Sequence, residues 1–343
     1  MSEDRPGILD GAIAPADNLR LFGHDAAQDF LAQAYRSGKS HHAILIEGPE
    51  GIGKATLAFR FANHVLAHPD PHQAPDHVTD PDPQSPIFRQ ISSGASHHLL
   101  YLSRPVDDKT GKVKSAIPVD EIRKAGKFFS QTSGTGNWRI VIVDPADDLN
   151  RNAANAILKI LEEPPKRAMF LVLSHAPGKL LPTIRSRCQT LSLAPLSDAD
   201  MLSCFENLSL TINPQMLPTI LKAAKGSVSE ALKLVHYGGL EIMEVFTAVL
   251  ETAGPKSRQS MHKLADAMAA KDNETLYTFF RSQITSEIEI RAKQAALNGN
   301  LVGAERLARL ASDVTERLTI ADAYNLDRKQ TVISVLGEFK DAL

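Results

Sequence analysis

The chain has 343 residues, 43% of them hydrophobic and 23% charged, the balance of a globular protein with apolar surface enough for a core. Lys and Arg number 38 against 40 Asp and Glu, a formal net charge of -2, which excludes an overall basic excess for nucleic acid while leaving room for a local patch. Two cysteines, Cys188 and Cys204, exclude a disulfide-stapled fold and a four-cysteine zinc site and fit a reducing compartment.

At roughly 100–200 residues per domain the length predicts two or three domains. Met-Ser-Glu-Asp-Arg-Pro opens the sequence without a basic stretch leading into an apolar one, and no apolar run approaches the ~18 residues that span a bilayer. The expectation is a soluble, cytoplasmic protein without a signal peptide.

In chain order, His24–Ser37 carries apolar residues at helical spacing (Ala27, Phe30, Leu31, Ala34), and Ala43–Ile46 reads as a buried parallel strand ending in a Gly-rich turn. Thr56–Leu66 is a helix. Pro69–Pro86 is crowded with Pro, Asp and His and reads as a surface loop. His98–Ser103 is a strand, and Val119–Phe129 a helix started by Pro118 with Asp120 and Glu121 in its first turn. Arg139–Val143 is a β-branched strand closed by Asp144, and Asn152–Glu162 a helix that stops at Pro164-Pro165. Ala168–Leu173 is a strand closed by Ser174, and Leu191–Leu193 a last strand. This alternation predicts an α/β fold with a parallel sheet covered on both faces.

From Asp198 to about Tyr237 three short helices are expected, broken near Asn213-Pro214 and Lys225-Gly226, with Gly238-Gly239 as a hinge. From Leu240 onward about five helices are separated at Gly254-Pro255, Asp272-Asn273, Asn298-Gly299 and near Asn325. The division expected is 1–196 for the α/β domain, 197–238 for a small helical domain and 239–343 for an all-helical one.

Gly48-Pro49-Glu50-Gly51-Ile52-Gly53-Lys54-Ala55-Thr56 lies between a strand and a helix and completes a G-x-x-x-x-G-K phosphate loop. Glycines let backbone N–H groups curl around phosphate, the helix N-terminus adds its positive end, and Lys54 reaches the β- and γ-phosphates. The Mg²⁺-binding hydroxyl that should follow Lys54 is replaced by Ala55, and Thr56 lies about 100° further round the helix. Asp144 ends its strand as a Mg²⁺-organising acid would, but Pro145 stands where a water-activating Glu is needed, and Asp147 and Asp148 read as helix-starting acids. These residues predict a degenerate nucleotide site of Gly48, Gly51, Gly53, Lys54, Ala55, Thr56 and Asp144, binding ATP weakly or not at all.

Further on, Asn152-Ala153-Ala154-Asn155-Ala156-Ile157-Leu158-Lys159 runs into Leu161-Glu162-Glu163-Pro164-Pro165, followed by a strand and by Leu181-Pro182-Thr183-Ile184-Arg185-Ser186-Arg187-Cys188. This order resembles the bacterial DNA polymerase III clamp-loader subunits, a branch of the AAA+ superfamily, over nearly the whole chain. The resemblance implies an AAA+ nucleotide fold, a helical lid and a helical collar for oligomerisation. Within the family, hydrolysing tau/gamma subunits carry a Lys-Thr loop, an Asp-Glu pair, four zinc-binding cysteines and a sensor Arg after Gly-Ser. Here stand Ala55, Pro145, two cysteines and Ser229 in Gly226-Ser227-Val228-Ser229. The losses, with Phe22-Gly23-His24, are similar to the non-hydrolysing delta-prime branch, so no zinc is expected. A tau/gamma-type ATPase that tolerates Ala55 is the alternative, and an AAA+ remodeller outside replication a more remote one. The resemblance further implies tau/gamma and delta subunits as ring partners, the sliding clamp and primed DNA met through the complex, and no membrane. It makes Arg187 an arginine finger reaching a neighbour's γ-phosphate, as a planar, permanently charged guanidinium can.

Plainer readings stand beside these. Cys188 is a small buried hydrophobe. Ser174 is a strand terminator or a sensor residue. His68, His72 and His77 lack the spacing of metal ligands, and His97-His98 is a surface turn. Glu162-Glu163 is a solvated helix end, although the family uses that corner in subunit packing. Arg185 supports the core or an interface. The Asn325–Gln330 stretch resembles the start of the last collar helix, or is a capped helix start and no more.

Overall fold

The computed structural model describes residues 8–107, 111, 113–130, 136–252, 254–270 and 273–343. Two compact units divide the chain, Met1–Ser229 and Glu230–Leu343. The first unit is built on β1 (Ala43–Glu47), β2 (Leu99–Leu102), β3 (Arg139–Val143), β4 (Ala168–Ser174) and β5 (Gln189–Ser192). All pairings are parallel, in the order β2-β3-β4-β1-β5. The phosphate loop leaves an interior strand, β1, which lies between β4 and β5.

Strand side chains alternate with period two between the sheet faces, and the two cores follow that alternation. Ile44, Ile46, Ile140, Ile142, Met169 and Leu171 pack with α1 (Asp25–Arg36) and α2 (Lys54–Ala67). Leu45, Val141, Val143, Phe170 and Val172 pack on the other face with α4 (Val119–Ser130) and α5 (Arg151–Glu162). The central strands are therefore apolar at nearly every position, as a sheet covered on both sides requires.

Pro69–Pro86 is more than a surface loop. Ala74 and Val78 enter the first core, and Asp80 accepts a hydrogen bond at 2.6 Å from Arg60, a buried guanidinium on α2. A buried charge needs such a partner. The stretch leads into α3 (Pro86–Ser92), a seven-residue helix that Ser85 caps by accepting from the Ile87 N–H. The last strand begins at Gln189, directly after Cys188, earlier than the apolar Leu191–Leu193 run suggests.

After β5 the first unit takes in α7 (Asp198–Asn207) and α8 (Leu217–Ala224), with α6 (Pro182–Arg185) lying before that strand. The boundary between units falls inside α9 (Val228–His236), neither at 196 nor at 238. Two backbone bonds tie the α7–α8 region to the nucleotide fold: the Leu196 N–H donates to Gly226 O, and the Val228 N–H to Gly51 O.

The second unit contains α10 (Gly239–Glu251), α11 (Pro255–Ala269), α12 (Glu274–Leu297), α13 (Leu301–Ala323) and α14 (Arg328–Ala342). Their breaks fall at the Gly-Pro and Asn-Gly pairs and at Asn325; of the Asp272-Asn273 break, Asp272 lies outside the described residues. Phe279, Phe280 and Phe339 are at most 1% exposed. Lys340 reaches the end of α10, donating to Val249 O at 3.0 Å and to Thr252 O, carbonyls that a helix end leaves without partners. Among the described residues no helix is long and apolar enough to cross a membrane.

Candidate functional site: a nucleotide loop and an arginine corner

The phosphate loop joins β1 to α2 and has the conformation its glycines permit. Gly48, Gly51 and Gly53 have φ of 150°, 76° and 100°, values that L-residues with a Cβ rarely adopt. A Cβ at Gly48 would stand 2.5 Å from Leu193 O, and one at Gly51 2.4 Å from Ser227 Oγ. The Gly48 N–H donates to Ser174 O, and a ring N–H of His24 to Ile52 O at 2.8 Å, so the loop is braced from β4 and from the start of α1.

Lys54 turns back on this loop. Its Nζ donates to Gly48 O at 2.7 Å and to Pro49 O. With 4% of the residue exposed, burial pushes its pKa down to about 8, against the opposing charges of Asp144, Glu50 and Asp147. Ala55 is half-buried against the first core and Thr56 is buried.

The acids beyond β3 are also engaged. Asp144 accepts from the Tyr101 hydroxyl at 2.8 Å. Burial raises its pKa, opposed by that hydrogen bond and by His175 and Lys54. Asp147 and Asp148 do not start α5; Asn150 does, accepting from the Ala153 N–H at 2.8 Å. Asp147 instead accepts from Ser174 Oγ at 2.7 Å and from the His175 N–H at 2.6 Å. Asp148 pairs with Arg104 at 3.1 Å. Ser174, fully buried, is thereby committed to Asp147.

The backbone cradle suits phosphate, but the side chains do not suit Mg·ATP. No hydroxyl follows Lys54, the lysine serves its own loop, and Asp144 is occupied by Tyr101. Ser227 and Ser229 also stand against Gly51.

Arg187 lies away from this cluster. It follows α6, whose Ile184 is buried and whose Arg185 is exposed; that exposure removes the core-supporting reading of Arg185. Arg187 Nη2 meets Glu162 Oε1 at 2.6 Å, and Nη1 donates to Thr183 O at 2.9 Å. The pair brings together two residues that the sequence separates by 25 positions. Cys188 packs on the second core, and burial pushes its thiol up to about 11, far from reactivity.

The His68 ring bonds its own helix at His64 O, and in the 69–86 region His77 pairs with Asp76. Among the described residues no group of three or more His, Cys, Asp and Glu is arranged to hold a metal. Sequence reasoning missed Tyr101, His24 and the two serines as parts of the loop's surroundings. Tyr101 carried no local signal, because its partner is 43 positions away.

A family model described as "DNA polymerase III, delta subunit" matches residues 23–197, just over half of the chain. The chain belongs to this family of DNA polymerase III subunits. Delta' of Escherichia coli is 28% identical over 226 residues, covering 66% of this chain and 64% of the relative. Delta' of Pseudomonas aeruginosa is 36% identical over 147 residues, 43% of this chain and 41% of the relative. The tau subunit of Escherichia coli is 26% identical over 290 residues, 82% of this chain and 42% of the relative. The chain thus spans less than two thirds of the length of each of these relatives.

Proposed function

We propose that this clamp-loader subunit is of the delta-prime type: it does not hydrolyse ATP itself and lends Arg187 to the ATP site of a neighbouring subunit. It works in a ring with tau/gamma and delta subunits that opens the sliding clamp and places it on primed DNA. One observation carries the reading. The polar groups a hydrolytic site would use are bound internally, Lys54 to Gly48 and Pro49 and Asp144 to Tyr101, while Arg187 stands at the surface, its side chain 33% exposed. A guanidinium has five N–H donors; two nitrogens are engaged within the chain, and the remaining donors are available to an anion. The delta' relatives support the same reading.

The rival is a tau/gamma-type ATPase, favoured by the longer stretch aligned with tau. Reconstitution of the loader with its own partner subunits decides between them. Arg187→Ala should leave folding and assembly intact and lower the DNA- and clamp-stimulated ATPase, by a factor of ~10³ or more at the affected site and less in bulk. Arg187→Lys should not restore it, because an ammonium cannot fork onto two oxygens. An unchanged stimulated rate would defeat the trans-acting role.

A further inference from the structure

We infer that Glu162 is a positioning residue for Arg187, fixing the guanidinium in the orientation a neighbouring subunit's phosphate meets; the inference rests on the trans-acting role proposed above. The backbone on both sides of the pair is anchored. Glu162 is the last residue of α5, just after Leu161, which is 1% exposed and whose carbonyl takes a ring N–H of His42 at 3.0 Å. Pro164 disfavours helical backbone at Glu163, so the helix stops with Glu162 as its final acid. On the other side, buried Ile184 accepts from the Arg187 N–H at 3.1 Å, and Cys188 packs on the second core. What remains free is the long Arg187 side chain, whose rotamer entropy is large.

Glu162 restricts that freedom. Its Oε1 takes Nη2 at 2.6 Å while Thr183 O takes Nη1 at 2.9 Å, so two different nitrogens of one planar group are held from two elements. Two held nitrogens, together with the covalent tether at Nε, define the plane of the guanidinium, and a further contact to phosphate then meets a group already oriented. The acid also sits at the wrong end for its own helix, since a carboxylate at a C-terminus opposes the macrodipole. The cation of Arg187 offsets that penalty.

The test is ATP turnover by the loader reconstituted with Glu162→Ala, Glu162→Gln, Arg187→Ala and the double variant, each first checked for native melting and ring assembly. Glu162→Ala should lower the Arg187-dependent part of the stimulated kcat about two- to fivefold, the scale of a half-exposed ion pair, with the KM for ATP unchanged. Glu162→Gln, which keeps a neutral acceptor, should fall between that variant and the parent. In the Arg187→Ala background Glu162→Ala should change nothing further. If Arg187→Ala lowers turnover but Glu162→Ala leaves it unchanged or raises it, Glu162 does not position the arginine. A further loss from Glu162→Ala in the absence of Arg187 would make its role structural and overturn the inference too. If Arg187→Ala itself has no effect, the underlying trans-acting reading fails instead.

Discussion

The hydroxyl of Tyr101, on β2, donates to the carboxylate of Asp144, which follows β3, across 2.8 Å. The parallel register places Tyr101 opposite Ile142 and Leu102 opposite Val143, so the tyrosine stands beside the strand end where a Mg²⁺-organising acid is needed. Burial raises the pKa of both groups, the tyrosine's further through the charge of Asp144. A carboxylate bound in this way is poorly placed to hold a hydrated cation.

The isolated protein should therefore hydrolyse ATP far more slowly than the ~1 per second at the lower end of ordinary enzymes, and Lys54→Ala should not change the residual rate. A coupled ATPase assay checks both. Turnover at an ordinary rate that disappears with Lys54→Ala would overturn the non-hydrolysing assignment.

Gly51→Ala should destabilise the first unit by about 1–2 kcal/mol or more from the left-handed backbone alone. Added to this is the overlap of a new Cβ with Ser227 Oγ at 2.4 Å and Ser229 Oγ at 2.6 Å. Gly38→Ala has the same sign of φ with open space around it and should show only the backbone part. Denaturant midpoints of the two variants separate strain from crowding.

His64 on α2 is 1% exposed, and neither ring nitrogen has a hydrogen-bond partner. Burial, with His68 and His77 adding to it, pushes its pKa from 6.5 down to about 4. The unfolded chain takes up this proton near pH 6.5 while the folded chain resists it until about pH 4. The contribution is intact above that window and is lost as pH falls through it, with a slope of at most about 1.4 kcal/mol per pH unit. His64→Phe should flatten the dependence between those limits. Parallel urea titrations at several pH values read the difference; equal slopes would show that His64 carries none of it.

The oligomerising collar that the resemblance implies for residues 239–343 has its own check. A chain ending after Tyr237 should fail to assemble with the partner subunits, because an obligate ring interface needs a large buried surface and the five helices beyond that point would be gone. Normal assembly in size-exclusion chromatography would contradict this assignment.

Features written in consecutive residues were the readable ones. Gly-Pro and Asn-Gly pairs and Asn325 marked breaks between helices after Gly239, and apolar runs placed the first four strands. The phosphate loop was evident because its glycines and lysine are contiguous. The partners of that loop were not, since Tyr101, His24 and Ser227 come from distant segments and bear no special chemistry alone. Asp147 was misread for a related reason: an acid ahead of a helix suggests a cap, and only the fold shows Asn150 capping while Asp147 binds the end of β4. The seven-residue α3 is too short for periodicity to register, and the burial of Ala74 and Val78 in a polar stretch depends on tertiary contacts.

The burial of side chains around the phosphate loop sets which positions there tolerate substitution. Ile52 and Leu57, and likewise Val143 and Ala146, are at most 2% exposed, whereas the neighbouring positions 55 and 145 are only half-buried at the rim of the sheet. Packing constrains the former and chemistry the latter, and the two sets are interleaved yet separate. A side chain at either half-buried position can be exchanged, a hydroxyl for alanine at 55 or a glutamate for proline at 145, without touching the buried neighbours. On the non-hydrolysing reading proposed above, such exchanges would remove catalytic groups and leave the packing of the sheet intact.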